Sequence, residues 1–228
     1  MSAKQRHSFQ MLSVSLLLGL AGAIAALLLL SWLTEEVLEG ETRQFDDATR
    51  LAIHQFASPG LTTAMRGISF FGSTLFLSVL TVLVIFCFVV RHWRREAVLF
   101  AITMVGAALL DVTLKHTFHR ARPVPFFNIV APSSYSFPSG HALASFCFYG
   151  ALAAILTARL KNARSRIAIW SSAAIVVLLI GLSRIYLGVH YTTDVLAGFV
   201  AALIWIFVVT FVEQQLSKRR QRKRRVEQ

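Results

Sequence analysis

His190 and Asp194 stand four residues apart in SRIYLGVHYTTD (183–194), between two long apolar runs. One turn of helix would bring that carboxylate to the imidazole. A structural ion pair would use the same two residues, so the pair alone decides nothing. A second stretch, FPSGH (137–141), precedes another apolar run. Pro138 suits a helix start, and Gly140 permits close backbone approach. The free N–H groups of a helix N-terminus attract an oxyanion, to which Ser139 would add a hydroxyl donor. His141 would sit at the rim of this cradle, able to give a proton to a leaving oxygen. On its own, PSGH could be an ordinary helix cap.

These residues need elements to position them. The chain has 228 residues, is 56% hydrophobic and 15% charged, and its apolar residues come in blocks instead of a helical or strand period. That pattern implies a membrane protein whose spans satisfy their backbone internally, hence an all-α fold. Six spans are expected at 11–33, 68–90, 97–114, 141–158, 167–187 and 194–213, forming one bundle and a single domain over 1–228. The first block is too long for a signal-peptide core and reads as an uncleaved span.

Charge placement sets the topology. Sixteen of the 23 Lys and Arg fall before the first block, in 91–95, in 159–166 and in the tail. Those are alternate loops, so both termini and the basic tail 217–228 are expected on the cytoplasmic side. The segments 34–67, 115–140 and 188–193 then face outward. The net charge of +12 is accounted for by topology and anionic headgroups, which argues against a nucleic-acid partner. Cys87 and Cys147 lie inside apolar blocks and read as packing residues. In 34–67, Phe45, Ala48, Ala52 and Phe56 recur at helical spacing. They predict an interfacial amphipathic helix after the first span, stopped by Pro59-Gly60. His54 within it reads as incidental.

The outward side carries seven Lys and Arg, four of them being Lys115, Arg120, Arg122 and Arg184 at span ends. Snorkelling to headgroups explains one or two such cations; the clustering suggests an anion site.

Together KHTFHRARP (115–123), PSGH (138–141) and SRIYLGVHYTTD contain K-x6-R-P, P-S-G-H and S-R-x5-H-x3-D. In these motifs, in their order and in their common outward placement, the chain resembles the type-2 phosphatidic acid phosphatase superfamily. The motif-level likeness runs from about the third span to the sixth. The resemblance implies that Lys115, Arg122 and Arg184 hold phosphate oxygens, with Ser139 and the Gly140 N–H completing the cradle. It implies that His190 attacks phosphorus, oriented by Asp194, and that His141 protonates the leaving oxygen and then activates water. Fixed cations can stabilise the transferring phosphoryl group, so no metal and no cofactor is expected. A zinc site built from His141, His190 and Asp194 is the competing reading, disfavoured because three cations nearby would repel a dication.

Asp111, four residues before Lys115, is expected to pair with it. Phe126, Phe127, Tyr135 and Phe137 between the first two motifs read chiefly as interfacial anchors. The expected partners are a lipid phosphate substrate (undecaprenyl diphosphate, phosphatidylglycerol phosphate or phosphatidic acid) and membrane lipids. The expected location is a bacterial inner membrane, with the site on the periplasmic or extracytoplasmic face. A lipid-to-lipid phosphotransferase using the same site is the alternative, and a nonenzymatic anion channel or scaffold a more distant one.

Overall fold

The computed structural model describes residues 3–130 and 132–226, with side chains over 19–130 and 132–219. The lysines and arginines of the N-terminal segment and most of the basic tail lie outside those side-chain ranges. Among the described residues the fold is entirely helical: α1 (Ala3–Glu39), α2 (Arg43–His54), α3 (Pro59–Phe70), α4 (Thr74–Val90), α5 (Arg94–Phe118), α6 (Gly140–Thr157), α7 (Ala163–Tyr186) and α8 (Thr192–Val226).

Five helices among the described residues are long and apolar enough to cross a membrane, and the pair α3–α4, bent by 44°, would make a sixth span. The shortest, α6, is 18 residues, or roughly 27 Å at 1.5 Å per residue, close to a hydrocarbon core. On α5, Val98, Ile102, Val105, Leu109 and Val112 are exposed at alternating steps of four and three. Such a stripe on one helix face is suited to lipid.

Local signals explain the breaks. Ser73 caps α4 by accepting from the Phe76 N–H, and Ser58 caps α3 by accepting from the Leu61 N–H, with Pro59 in its first turn. The expectation that Pro59-Gly60 stops a helix is therefore corrected. Proline lacks the N–H that a first turn leaves unpaired anyway, so here it opens α3 after α2 has already ended at His54. Helix α5 ends at Phe118, capped by His119, whose positive φ of 49° is left-handed.

The core is centred on α6, which packs against α4, α5, α7 and α8. Phe100 and Phe148 meet edge to face at 5.2 Å between α5 and α6. At the end remote from His190, α5 is tied to α8 by Arg95–Glu213 and to the α6–α7 connection by Arg159–Glu96 at 2.8 Å. That leaves the opposite end free to be shaped by α2, α3 and the 119–139 connection.

Helix α2 is amphipathic, and its polar edge is the one turned inward. Asp46 and Arg50 are buried, while Phe45 and Leu51, and Phe56 just beyond the helix, are exposed. Three of the four aromatics expected as anchors pack against the protein instead, and Tyr135 is half-buried against His119. Phe137 is fully buried against Phe118 at 5.4 Å, Phe126 stacks on His54 at 3.9 Å, and Phe127 stacks on Tyr186 at 5.4 Å. Their work is to seat the 119–139 connection, because a loop that crosses the bundle end must bury apolar area to hold a single shape.

Candidate active site

Three segments that are distant in sequence meet at one end of the bundle. α5 delivers Lys115 in its last turn and leads into Arg120 and Arg122; α6 begins at Gly140 and carries His141 in its first turn; α7 delivers Arg184. The turn from Leu187 to Tyr191 carries His190 into α8. This turn needs Gly188, whose φ is +70° and whose absent Cβ would fall 2.8 Å from the Phe126 backbone nitrogen.

His190 is 1% exposed and Asp194 is fully buried. Nδ1 of His190 lies 3.4 Å from Asp194 Oδ2, a long contact that fixes the direction of the ring. The other nitrogen, Nε2, is 2.9 Å from Arg122 Nη1. A guanidinium can only donate, so Nε2 presents a lone pair and the ring proton belongs on Nδ1, toward Asp194. Burial pushes the His190 pKa down to about 4. Asp194 opposes that shift, while Arg122 and Arg184 add to it. The imidazole is therefore neutral at ordinary pH, which is the state a nucleophile needs.

Asp194 is held from every side. Oδ2 accepts from Ser136 Oγ at 2.5 Å and from the Tyr191 N–H at 2.9 Å, and Oδ1 accepts from Arg120 Nη1 at 2.6 Å. Arg120 also donates through Nη2 to Asp46 Oδ2 at 2.8 Å. Asp46 in turn accepts from the Thr193 N–H at 3.0 Å and from its hydroxyl at 2.6 Å. Burial works against the charge on Arg120, but Asp194 and Asp46 outweigh it and raise its pKa. Sequence reasoning placed Arg120 only in a general cation cluster and missed Asp46, Ser136 and Thr193. The available signal was the helical period of α2, which puts Asp46 and Arg50 one turn apart on a shared edge.

Lys115 Nζ pairs with Asp111 Oδ2 at 2.8 Å, as the four-residue spacing suggested. Gly140 makes room for the pair. A Cβ there would sit 2.7 Å from Asp111 Oδ1 and 2.9 Å from Lys115 Nζ. Arg184 is buried and donates from Nη1 to Ser69 Oγ, while its Nε has no partner among the described residues. Arg122 is anchored by Ser134 O at 2.7 Å, Val189 O at 2.9 Å and Tyr135 O at 3.2 Å. Burial lowers its pKa, against the pull of Asp194 and Asp111.

A cleft of about 530 Å³ joins these groups. Lys115, Arg122, Gly140, His141, Arg184 and His190 line one end, and the side chains of α4 and α5, among them Leu77, Val82, Val105 and Val112, line the rest. Ser139, expected on the cradle, lines no part of it. Its N–H is taken by Asp194 O at 2.9 Å, and its hydroxyl is buried without a partner among the described residues. Asp194 also sits behind the wall, in contact with His190 only from the rear. Among the described residues no three His, Cys, Asp or Glu side chains gather as metal ligands would.

The PAP2 superfamily profile matches residues 96–218, just over half of the 228 residues. The chain belongs to the PAP2 superfamily. Phosphatidylglycerophosphatase B of Bacillus subtilis is 32% identical over 178 residues, which cover 78% of this chain and 87% of that protein. Undecaprenyl-diphosphatase of Sulfolobus acidocaldarius is 33% identical over 113 residues, covering 47% of this chain and 50% of that one. A crystal structure of a transmembrane PAP2-type phosphatidylglycerolphosphate phosphatase from Bacillus subtilis superimposes with a TM-score of 0.78 at 29% identity, over 85% of this chain and 96% of that chain. The PAP2 relatives are lipid phosphatases, and this chain is a membrane hydrolase of their class. The matched region holds all three motifs, from Lys115 to Asp194.

Proposed function

We propose that the protein removes a terminal phosphate from a lipid through a phosphohistidine on His190. The observation that carries this reading is the cleft: cations and two histidines at one end, and an apolar channel between α4 and α5 along the rest. A soluble phosphate ester would have no use for the apolar part.

Lys115, Arg122, Arg184 and the N–H groups opening α6 hold the phosphate oxygens. Nε2 of His190 attacks phosphorus as the P–O bond to the lipid breaks, and His141 gives its proton to the departing oxygen. Water then attacks phosphorus, losing its proton to His141, and the N–P bond breaks to release inorganic phosphate. Asp194 keeps the His190 proton on Nδ1 throughout.

The remaining expectations belong to this same reading. The chain is one domain with α3 and α4 making one broken span, six spans in all. α2 lies at the outer interface with Phe45, Leu51 and Phe56 toward lipid, and the site faces away from the cytoplasm. Both termini are cytoplasmic, consistent with basic side chains at the far end of the bundle. Undecaprenyl diphosphate, phosphatidylglycerol phosphate and phosphatidic acid are the candidate substrates.

The test is phosphate release across those lipids by purified protein and by His190→Ala, with trapping of ³²P-labelled enzyme. Acid-labile label on wild type and none on the variant, with release abolished, is expected. Label passed to a second lipid with no free phosphate would identify a phosphotransferase instead. Undiminished activity of the variant would reject the mechanism.

A further inference from the structure

Helices α5 and α8 touch at mid-span and then part. At the midpoint of α5 the Trp205 indole lies against Gly106, where a Cβ would fall 1.9 Å from its Cζ2, and its Nε1 donates to Thr103 O at 2.9 Å. From Trp205 toward the end remote from His190, a groove of about 590 Å³ runs between the two helices. Its lining follows α8 from Trp205 to Ser217, roughly 18 Å at 1.5 Å per residue. That is close to the depth of one leaflet of a ~30 Å hydrocarbon core. The walls are apolar, and Val98, Ile102, Val208 and Val212 among them are exposed.

The foot of the groove is polar and carries an excess of positive charge. Glu213 accepts from Arg95 Nη2 and from Ser217 Oγ at 2.9 Å, so the acid in the described lining is already paired. Arg94 also lines the foot and is exposed. The ion pairs at this end join Arg95 to Glu213 and Arg159 to Glu96, and Arg94 takes part in neither. Lys218 and Arg219, both exposed, follow Ser217 on α8. A free guanidinium thus stands where an apolar channel of leaflet depth ends. A helix from a second copy, ~10 Å across, would have to pass the Arg95–Glu213 bridge and would leave Arg94 without a counter-ion. An acyl chain stops short of that bridge and brings a phosphate to Arg94.

We propose that this groove binds one anionic glycerophospholipid of the leaflet remote from His190, with an acyl chain between α5 and α8 and the phosphodiester on Arg94 and Arg95. The site is separate from the catalytic cleft, with which it shares no described lining residue. Its ligand is a diester without a terminal phosphate, so it binds without turnover. A guanidinium fork matches two phosphate oxygens, and a headgroup that carries its own cation would be repelled by Arg94 and Arg95 together. The groove therefore selects a net negative headgroup over a zwitterionic one. The bound chain fills the gap between two helices that carry Lys115 and Asp194 at their other ends, and so steadies the bundle by packing.

The experiment follows thermal unfolding of the purified, delipidated full chain in a non-ionic detergent, with added phosphatidylglycerol or phosphatidylcholine of the same acyl chains. Wild type is expected to gain at least about 3 °C more from the anionic lipid, because a ligand bound only to the folded state raises Tm. Arg94→Gln should erase that difference, and Arg94→Lys should keep part of it because a point charge retains some attraction. Ile102→Trp, which fills the channel from an exposed position, should erase it with Arg94 intact. Equal gains from the two lipids in wild type overturn the proposal. A preference that survives in Arg94→Gln overturns it too, since the anionic lipid then sits elsewhere on the surface or among the catalytic cations. A dimer seen by light scattering, lost in Ile102→Trp and indifferent to either lipid, would give the groove to a second copy and would also overturn it.

Discussion

Arg120 Nη1 donates to Asp194 Oδ1 at 2.6 Å, from the side of the carboxylate turned away from His190. A cation that lines no part of the cleft thus fixes the carboxylate behind His190, the proposed nucleophile. Its second nitrogen holds Asp46 of α2, so the amphipathic helix outside the bundle is wired to the site through one side chain. Arg120→Ala would leave two fully buried carboxylates without their cation. Breaking a buried pair costs about 3–5 kcal/mol, so thermal stability should fall together with kcat. Double substitution Arg120→Met with Asp46→Leu should regain part of the stability and little of the activity, because Asp194 still lacks its clamp. Thermal unfolding and phosphate release on wild type and these two variants check this; full recovery of kcat in the double variant would count against a positioning role.

Much of this site was readable from the sequence, and the part that was not has a physical reason. Lys115, Arg122, His141, Arg184 and His190 are motif residues whose types and spacing speak for themselves, and the cleft brings them together. Five of the six expected spans fall on helices long and apolar enough to cross a membrane, legible because bilayer thickness forces long apolar blocks. Arg120 was read as one of the anion-site cations, and its ties to Asp194 and Asp46, like the part played by Ser136, were not legible because their meaning is tertiary: residues 74 apart in the chain form an ion pair. The inward turn of Phe126, Phe127 and Phe137 was missed for a related reason. An aromatic side chain suits a membrane interface and a packed loop equally well, and only neighbours such as His54 and Tyr186 distinguish them.

The pH dependence should reveal the environment of His190. Its pKa lies near 4, below the ordinary 6.5, so the neutral imidazole persists as the solution is acidified. Protonation removes the attacking lone pair, so the acid limb of kcat/KM, corrected for substrate ionisation, is expected well below pH 6. Asp194 pulls the value upward. Asp194→Asn should therefore move the limb to still lower pH while reducing kcat. An acid limb at pH 6.5 in wild type, or a shift to higher pH in the variant, would contradict the assignment.

At Gly140 the start of α6 lies close against Asp111 and Lys115 of α5. In Gly140→Ala the added methyl would meet Asp111 and Lys115 at 2.7 to 2.9 Å, closer than van der Waals contact permits. The salt bridge must move, and with it the ammonium offered to phosphate. A loss of kcat/KM of about ten- to a hundredfold is expected, with the helices intact by circular dichroism. Asp111→Asn, which frees Lys115 without crowding it, should cost only a few fold. Equal losses in the two variants would mean that the charge of Asp111, and not the room beside Gly140, is what matters.

The apolar part of the cleft gives the last prediction, because it separates tail recognition from chemistry. Ala108 lines the cleft on α5 and is exposed, so a larger side chain there can occupy the channel without disturbing the packed core. Ala108→Trp should lower kcat/KM for a long-tailed lipid phosphate at least about tenfold more than for a short-tailed ester with the same headgroup. The reacting groups at His190 and His141 are untouched by that change, and only the packing of the tail against the channel wall is lost. Vmax and KM on the two substrates measure it. If both substrates slow alike, the channel between α4 and α5 is not where the tail lies, and the lipid reaches His190 by another face of the bundle.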